Sequence, residues 1–484
     1  MLKVSFLAIF VSFIVAVYLF SRQYLTPGFA FLATLITLLH RQTSWMSGLL
    51  FAELPFAFVG VLFLLASRSA KDLSRQWIAG VLAVSCYLLR TAGIALLGAW
   101  VIESLLKRRF AEMAFRAGVA LVPILAWQGY IEYVKHGPEY THPAYEYQRA
   151  AYQYYNVPYL ENLAYVDPFI PELGLVSPRL FLKRIRLNLA GTPEGLGSAI
   201  SVRSHRTEAW LNRINRKLRT RWVPAGGTLP FIALGQLVLA GLVLLARRGE
   251  WLVGLYVFGT SGLIWLTPWG FQSGRYWWPL TPILAVAFFT VLVTVKDRLS
   301  RVARRGRRIA VLAITVAIAS AFFSMELVSV FGSYKLGEKV SYRDDNGKEH
   351  RYLLLYYKPD WPSHDEALDW LKEHSDRSGI VATSTPHWAY LKTGLKSVMP
   401  PFDRDVHEAQ RLMDSVPVSY LILDSFSADT SVDISRRYAA PVVNAFPERW
   451  ELTYSSAGGD SKIYRRRSLK EEFDGHQMAQ SGSR

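Results

Sequence analysis

The sequence predicts a polytopic α-helical membrane protein of about ten spans that closes with a C-terminal extracytoplasmic α/β domain, and two patterns carry that expectation. Hydrophobic residues make up 51% of the 484-residue chain and charged residues only 19%. The apolar residues gather in blocks approaching the ~17 to 25 residues a bilayer requires, where a soluble fold spreads them periodically. Basic residues cluster in alternate connections between those blocks, which gives the chain two unlike sides.

The blocks run from Val4 to Phe20, Gly28 to Leu39, Gly48 to Ala66, Trp77 to Leu89, Thr91 to Leu106, Ala114 to Tyr130, Leu229 to Ala246, Trp251 to Leu266, Trp278 to Val295 and Ile309 to Val330. The first resembles a signal-peptide core behind Lys3, but Phe20-Ser21-Arg22-Gln23 offers no small-residue cleavage site, so it is read as an uncleaved helix. The second is short; with Tyr24 to Pro27 added it reaches ~24 Å at 1.5 Å per residue, enough to cross or to re-enter. The single cysteine, Cys86, lies in a span, so the exported parts hold no disulfide and depend on packing.

A net charge of +17 in a soluble chain would point to nucleic acid. Here position accounts for it, and no nucleic-acid partner is expected. Arg22, Arg68, Lys71, Arg75, Lys107, Arg108, Arg109, Arg116, Arg247, Arg248 and the run from Lys296 to Arg308 all fall on one side. The short turns opposite carry only Arg41, Arg90 and Arg275. The first side is therefore cytoplasmic, in a plasma (inner) membrane, and the long loop and C-terminal part are outside. Met1 then also falls outside.

Three regions follow: a membrane domain over 1–333 with an external loop at 131–230, an extracytoplasmic α/β domain over 334–467, and a polar, disordered tail over 468–484. The loop holds ten tyrosines between Tyr130 and Tyr165, suited to an interfacial aromatic belt or a sugar-stacking wall. It then turns basic between Lys183 and Arg221, where Trp210, Leu211, Ile214 and Leu218 recur at helical spacing and predict an amphipathic helix at the lipid surface.

Past Val330 the pattern becomes alternating α/β. Asn346-Gly347 separates two strand-like runs within Val340 to Tyr357, as a hairpin turn does. Helices are predicted over Ser363 to Glu373 with Ser363 as N-cap, Pro386 to Lys392 and Asp403 to Ser415; strands over Gly379 to Ala382, Val418 to Leu423, Trp450 to Ser455 and Lys462 to Arg465.

No phosphate-cradling loop, dinucleotide glycine pattern or metal-spaced His/Cys cluster appears, so no cofactor and no metal are expected. The triplet Asp403-Arg404-Asp405, with His407 and Glu408, has the look of a metal-binding acid pair, but it opens a predicted helix, where acids complement the macrodipole. The stronger signal is charge at membrane depth, which is costly and seldom kept without a task. Glu53 lies about a turn inside the external end of the third span, Arg90 in the tight external turn between two spans, and Arg275 at the external entrance of the ninth. Glu53 is the catalytic candidate; Arg90, Arg275, Tyr276, Arg41 and Trp45 are the substrate-binding candidates. Paired arginines suit a lipid phosphate, which they hold through forked, charge-assisted hydrogen bonds.

At these residues the chain resembles the GT-C class of membrane glycosyltransferases, which includes protein O-mannosyltransferases and the transferase that puts aminoarabinose on lipid A. The matching features are Ala52-Glu53-Leu54-Pro55 at the head of a span, Leu89-Arg90-Thr91 before a Gly-containing span, and Gly274-Arg275-Tyr276 followed by Pro279 and Pro282. A long external loop after an early group of helices and a small external α/β domain complete the order. The resemblance implies transfer of a sugar from a polyprenyl-phosphate donor, held at a membrane lipid surface, to an acceptor that is a lipid, glycan or protein. It also implies a carboxylate base in the first external loop, and this sequence has no such loop. The first span corresponds to the family's second. Either translation starts upstream of Met1 or the product lacks its main catalytic acid and with it activity. Two further readings stand beside the transferase: a transporter or flippase of lipid-linked sugars, against which the absence of internal self-similarity counts, and a non-catalytic membrane scaffold.

Overall fold

The computed structural model describes residues 2–48, 51–69, 72–142, 159–201, 229–268, 273–302, 338–343, 348–354, 360–425 and 433–467, with five helical positions between 323 and 331. The chain divides into two compact units, one made of Met1–Ile131 and Leu182–Tyr356, the other of Glu132–Phe181 and Tyr357–Arg484. This division differs from the boundary expected at 333: the external loop is split, and its first part groups with the C-terminal region.

The first unit is helical. In chain order it contains α1 (Leu2–Arg22), α2 (Pro27–Leu39), α3 (Arg41–Gly48), α4 (Glu53–Ser69), α5 (Leu73–Leu89), α6 (Ile94–Leu106) and α7 (Phe110–Lys135). After the loop come α8 (Pro178–Ala190, its first residues in the other unit), α9 (Thr192–Ser198), α10 (Leu229–Arg247), α11 (Trp251–Leu266), the short α12 (Ser273–Trp277) and α13 (Thr281–Val302). Among the described residues four helices are long and apolar enough to cross a membrane: Val4–Arg22, Phe110–Lys135, Leu229–Arg247 and Gly274–Arg298. Shorter apolar helices at Pro27–Leu39, Leu73–Leu89, Thr91–Leu106 and Trp251–Leu266 stand with them. The tenth expected span lies almost wholly outside the described residues, as do the predicted amphipathic helix around Trp210, residues 143–158 of the tyrosine-rich stretch and the tail after Arg467.

Packing explains the apolar surplus. In α1 the residues Val4, Leu7, Val11, Val15 and Leu19 form an exposed stripe at helical spacing, while Phe13, Val17 and Phe20 are buried. Water would penalise that outward stripe; lipid does not. The buried centre is built on Phe63, Leu96, Trp100, Trp278 and Phe289. One contact is closer than side chains allow: a Cβ on Gly197 of α9 would sit 1.9 Å from the Phe231 carbonyl oxygen, and one on Gly235 of α10 1.8 Å from that of Pro193. Only glycine permits this approach of α9 to α10.

Two expectations change here. The third span was expected from Gly48, with Glu53 about a turn inside it; instead the chain breaks between α3 and α4, and Glu53 is the first residue of α4. Pro55 gives the reason, since proline is tolerated in a helix's first turn, where its missing N–H has no intrahelical partner to lose. Arg116 was counted with the cytoplasmic connection; α7 starts at Phe110, and Arg116 is buried within it.

The hairpin is formed by β1 (Glu338–Arg343) and β2 (Glu349–Leu354), antiparallel with Arg343 opposite Glu349. The second unit contains a five-stranded sheet of order β4-β3-β5-β7-β6, built from β3 (Ile380–Ala382), β4 (Lys396–Val398), β5 (Val418–Asp424), β6 (Trp450–Ser455) and β7 (Ser461–Arg466). Strands β4, β3 and β5 are parallel; β7 and β6 add antiparallel. Its main helices are α14 (Asp360–His374), α15 (Pro386–Thr393) and α16 (Val406–Ser415). Ser363 does not cap α14, which starts three residues earlier; its hydroxyl donates to that of Ser456 at 2.7 Å. The helix expected from Asp403 starts at Val406, because Asp405 is its N-cap and accepts from the His407 and Glu408 N–H groups, while Asp403 accepts from that of Asp405. Those carboxylates serve capping. Within this unit the Tyr438 hydroxyl donates to the Phe169 carbonyl at 2.9 Å and Arg437 pairs with Glu172, which fastens the loop segment beside the bridge between Tyr165 and Leu175.

Candidate functional site

Three residues far apart in sequence meet in the helical unit. Glu53 is placed by the start of α4, Arg90 by the end of α5, and Arg275 by α12. Arg90 caps α5 in an extended conformation, with φ −151° and ψ 131°, and its N–H donates to the Cys86 carbonyl. That backbone bend turns its side chain away from the helix path. Two prolines follow Arg275: Pro279 in the 3-10 turn Trp278–Leu280 and Pro282 in the first turn of α13. The helix is thereby restarted after α12, which places Arg275 ahead of α13.

Arg90 Nη1 lies 2.5 Å from Glu53 Oε1, and Arg275 Nε donates to the same oxygen. The Glu53 side chain is 1% exposed, Arg90 22% and Arg275 34%. A carboxylate this buried needs paired charge, and two guanidiniums supply it. The three side chains carry a formal charge of +1, and the exposed portions belong to the cations. Phe51, exposed and two residues before Glu53, has its ring 4.9 Å from the Arg275 guanidinium carbon. Sequence reasoning did not select Phe51; the signal was an aromatic residue beside the singled-out acid.

Of the other candidates, Tyr276 follows Arg275 on α12 and is partly buried against the core. Arg41 and Trp45 lie on α3, but their side chains are outside the described residues. That helix is fixed by Trp278 Nε1, which donates to the Thr43 hydroxyl at 2.7 Å. His40, which precedes α3, meets the Ser198 carbonyl through Nε2 at 3.2 Å and accepts the Gln42 N–H at Nδ1.

The second unit holds a different polar cluster, at the C-terminal ends of β3 and β5. Asp424 accepts from the Ser384 and Ser435 hydroxyls, lies 3.2 Å from His364 Nδ1, and His364 Nε2 stands 2.8 Å from the Thr385 hydroxyl. The His364 side chain is 0% exposed and that of Asp424 1%, so the group is closed to solvent and ties α14 to both strand ends.

No protein-family model matches the chain, and no curated protein matches it. Among solved structures it is similar to an oligosaccharyltransferase of Archaeoglobus fulgidus in complex with zinc and sulfate, at 16% identity and a TM-score of 0.49 over 96% of this chain and 61% of that one. A second structure of that enzyme, tethered to an acceptor peptide with the NVT sequon, matches at 14% identity and 0.45 over 97% of this chain and 63% of that one. ArnT from Cupriavidus metallidurans, bound to undecaprenyl phosphate, matches at 11% identity and 0.48, covering 97% of this chain and 84% of that one. The chain thus spans under two thirds of the archaeal enzyme's length.

Proposed function

We propose that this chain is an integral membrane glycosyltransferase that moves a sugar from a polyprenyl-phosphate donor to an acceptor on the extracytoplasmic side of a plasma (inner) membrane. The observation that carries the reading is the shared carboxylate: Glu53 is buried while both arginines that meet it are partly open.

In such a transfer the bond between the anomeric carbon and the phosphate oxygen breaks, and negative charge builds on the departing lipid phosphate. Preorganised cations aimed at that charge lower the barrier, since they need no reorganisation as the bond breaks. Glu53 sets two guanidiniums side by side, leaving further N–H donors of each for phosphate oxygens. Phe51 supports the face of Arg275. A carboxylate held by two cations at 1% exposure is a poor base, because it has no open oxygen for a hydroxyl proton. Glu53 is therefore a positioning residue for the arginines in this mechanism, a supporting role in place of the catalytic one for which it was a candidate.

The direct test uses the full chain in proteoliposomes with undecaprenyl phosphate as the polyprenyl-phosphate probe. Arg275→Ala should weaken binding by about 10- to 100-fold, the loss of one charge-assisted hydrogen-bonded group at ~1.5 to 3 kcal/mol, with membrane insertion intact. Binding equal to that of the unaltered protein would reject the phosphate role.

A further inference from the structure

The part of α8 that belongs to the helical unit runs from Leu182 to Ala190 and reads Leu-Lys-Arg-Ile-Arg-Leu-Asn-Leu-Ala. All three of its leucines are open, Leu182 at 66%, Leu187 at 61% and Leu189 at 48% exposure, and Lys183 and Arg186 are exposed with them. At ~100° per residue these five side chains share one arc of the helix: Leu182 and Leu189 mark one edge, Leu187 the other ~150° away, and Arg186 and Lys183 lie between. The half-buried Arg184, Ile185 and Asn188 fall on the opposite side. Asn188 sets the level at which the helix sits. Its Nδ2 donates to the carbonyls of Trp265 and Thr267, each at 3.0 Å, at the C-terminal end of the apolar helix α11. Those are carbonyls for which a helix end has no partner of its own. The residue two places beyond α8 is tied to the same end, since Trp265 Nε1 donates to the Thr192 hydroxyl at 2.8 Å.

An apolar helix runs out where hydrocarbon gives way to headgroups, so its end carries α8 at that boundary. Three open leucines on one arc are unfavourable in water, and two cations set between them are unfavourable in hydrocarbon. The surface of an anionic bilayer suits both, because leucines sink into the acyl boundary while the long Lys and Arg stems carry their charges out to phosphate. We propose that this face of α8 lies on the bilayer surface and binds the headgroups of anionic phospholipids, with Lys183 and Arg186 as the groups that hold phosphate. The segment precedes the helix that the sequence predicts around Trp210 and is an anchor of its own. The proposal requires that the helical unit sit in a membrane; it does not depend on the transferase reading.

The only cysteine of the chain, Cys86, is buried, so an introduced thiol can be labelled selectively. The full chain with Leu182→Cys or Leu187→Cys, one at each edge of the arc, is labelled with bimane and placed in vesicles of phosphatidylcholine and phosphatidylglycerol. Glu373→Cys, at an exposed position of α14, serves as the reference for water. Both α8 labels should be quenched by nitroxide-labelled lipid and shielded from iodide relative to the reference. Nitroxide-labelled phosphatidylglycerol should quench them better than phosphatidylcholine carrying the same nitroxide, by about 5-fold in local preference for each cation. Lys183→Gln with Arg186→Gln should bring the two lipids to parity while the labels stay in lipid. Quenching by iodide as strong as at the reference would mean that the face is turned to water. Labels that neither quencher reaches would mean that a second copy or another protein covers it, and equal quenching by the two lipids before any charge is removed would mean that the cations hold no phosphate. Each of these three results overturns the proposal.

Discussion

Glu53 and Glu103 are both buried acids of the helical unit, each set against two cations, and their clusters stand at opposite ends of α6. The Glu53 cluster lies at its start, where Arg90 precedes it, and Glu103 lies near its end, with 13 residues or ~20 Å of helix between. For the arginines the exposures are reversed, while Lys107 at Glu103 is 33% exposed. At Glu53 the acid is 1% exposed and its arginines 22% and 34%. At Glu103 the acid is 11% exposed and Arg116 only 6%. Arg116 also donates to the Trp100 carbonyl at 3.0 Å, pairs with Glu112, and lies 5.0 Å from the Trp100 ring. A cation wrapped on every side locks α7 to α6; a cation with an open edge can receive an anion. On the proposed reading, the exposure of the guanidinium, more than the presence of an ion pair, separates an internal lock from a candidate anion site.

That contrast can be broken by substitution, and the largest effect should come from the lock. Arg116→Ala leaves Glu103 with Lys107 alone and should cost about 3 kcal/mol, as removal of one partner of a buried pair does, read by thermal unfolding in detergent. Undecaprenyl phosphate affinity should survive in the folded fraction. A melting temperature like that of the unaltered protein would show that the two clusters are alike. Glu53→Gln comes next: turnover should fall about 10- to 100-fold because the arginines lose their common anchor, while affinity for the anion holds or rises with the added positive charge. An unchanged kcat would remove Glu53 from the mechanism.

The smallest effect is expected at a half-open pair in the second unit. Burial raises the Glu172 carboxyl, but the hydrogen bonds from Arg437, its backbone and Tyr438 outweigh it and leave the group below the ordinary carboxylate value. A depressed value in the folded protein stabilises it above the ordinary carboxylate range, and that stability is lost as pH falls through the lowered value. Because the pair is about a quarter exposed on each side, the contribution should stay near 0.5 to 1 kcal/mol. Melting of the full chain between about pH 3 and 7 should be steeper in the unaltered protein than in Glu172→Gln. Equal slopes would mean the pair adds nothing.

Where sequence reasoning succeeded and failed follows from how local each signal is. Asn346-Gly347 between two strand-like runs required only a turn, and the hairpin is there. Strand β4, Lys396–Val398, is three residues with no alternation to read, and it exists because β3 offers a parallel edge. Likewise Ser435–Ala439 and Ala440–Ala445 form helical turns that no capping signal announced, with Tyr438 buried in the unit. Arg116 was read as a topology signal through its charge. Its burial was not, because that depends on Trp100 and Glu103 arriving from another helix.

The amino-acid order alone determined the apolar blocks, the clustering of basic residues in alternate connections and the isolation of Glu53, Arg90 and Arg275 among apolar residues, because the cost of a charge among apolar residues is a property of that segment. Only the tertiary structure decided that Glu53 meets Arg275 across 222 positions of sequence. It also decided which partner of each ion pair stays open, and that α9 meets α12 through Gly195. Such pairings depend on which helices pack together, and no spacing or periodicity within one segment records its neighbour.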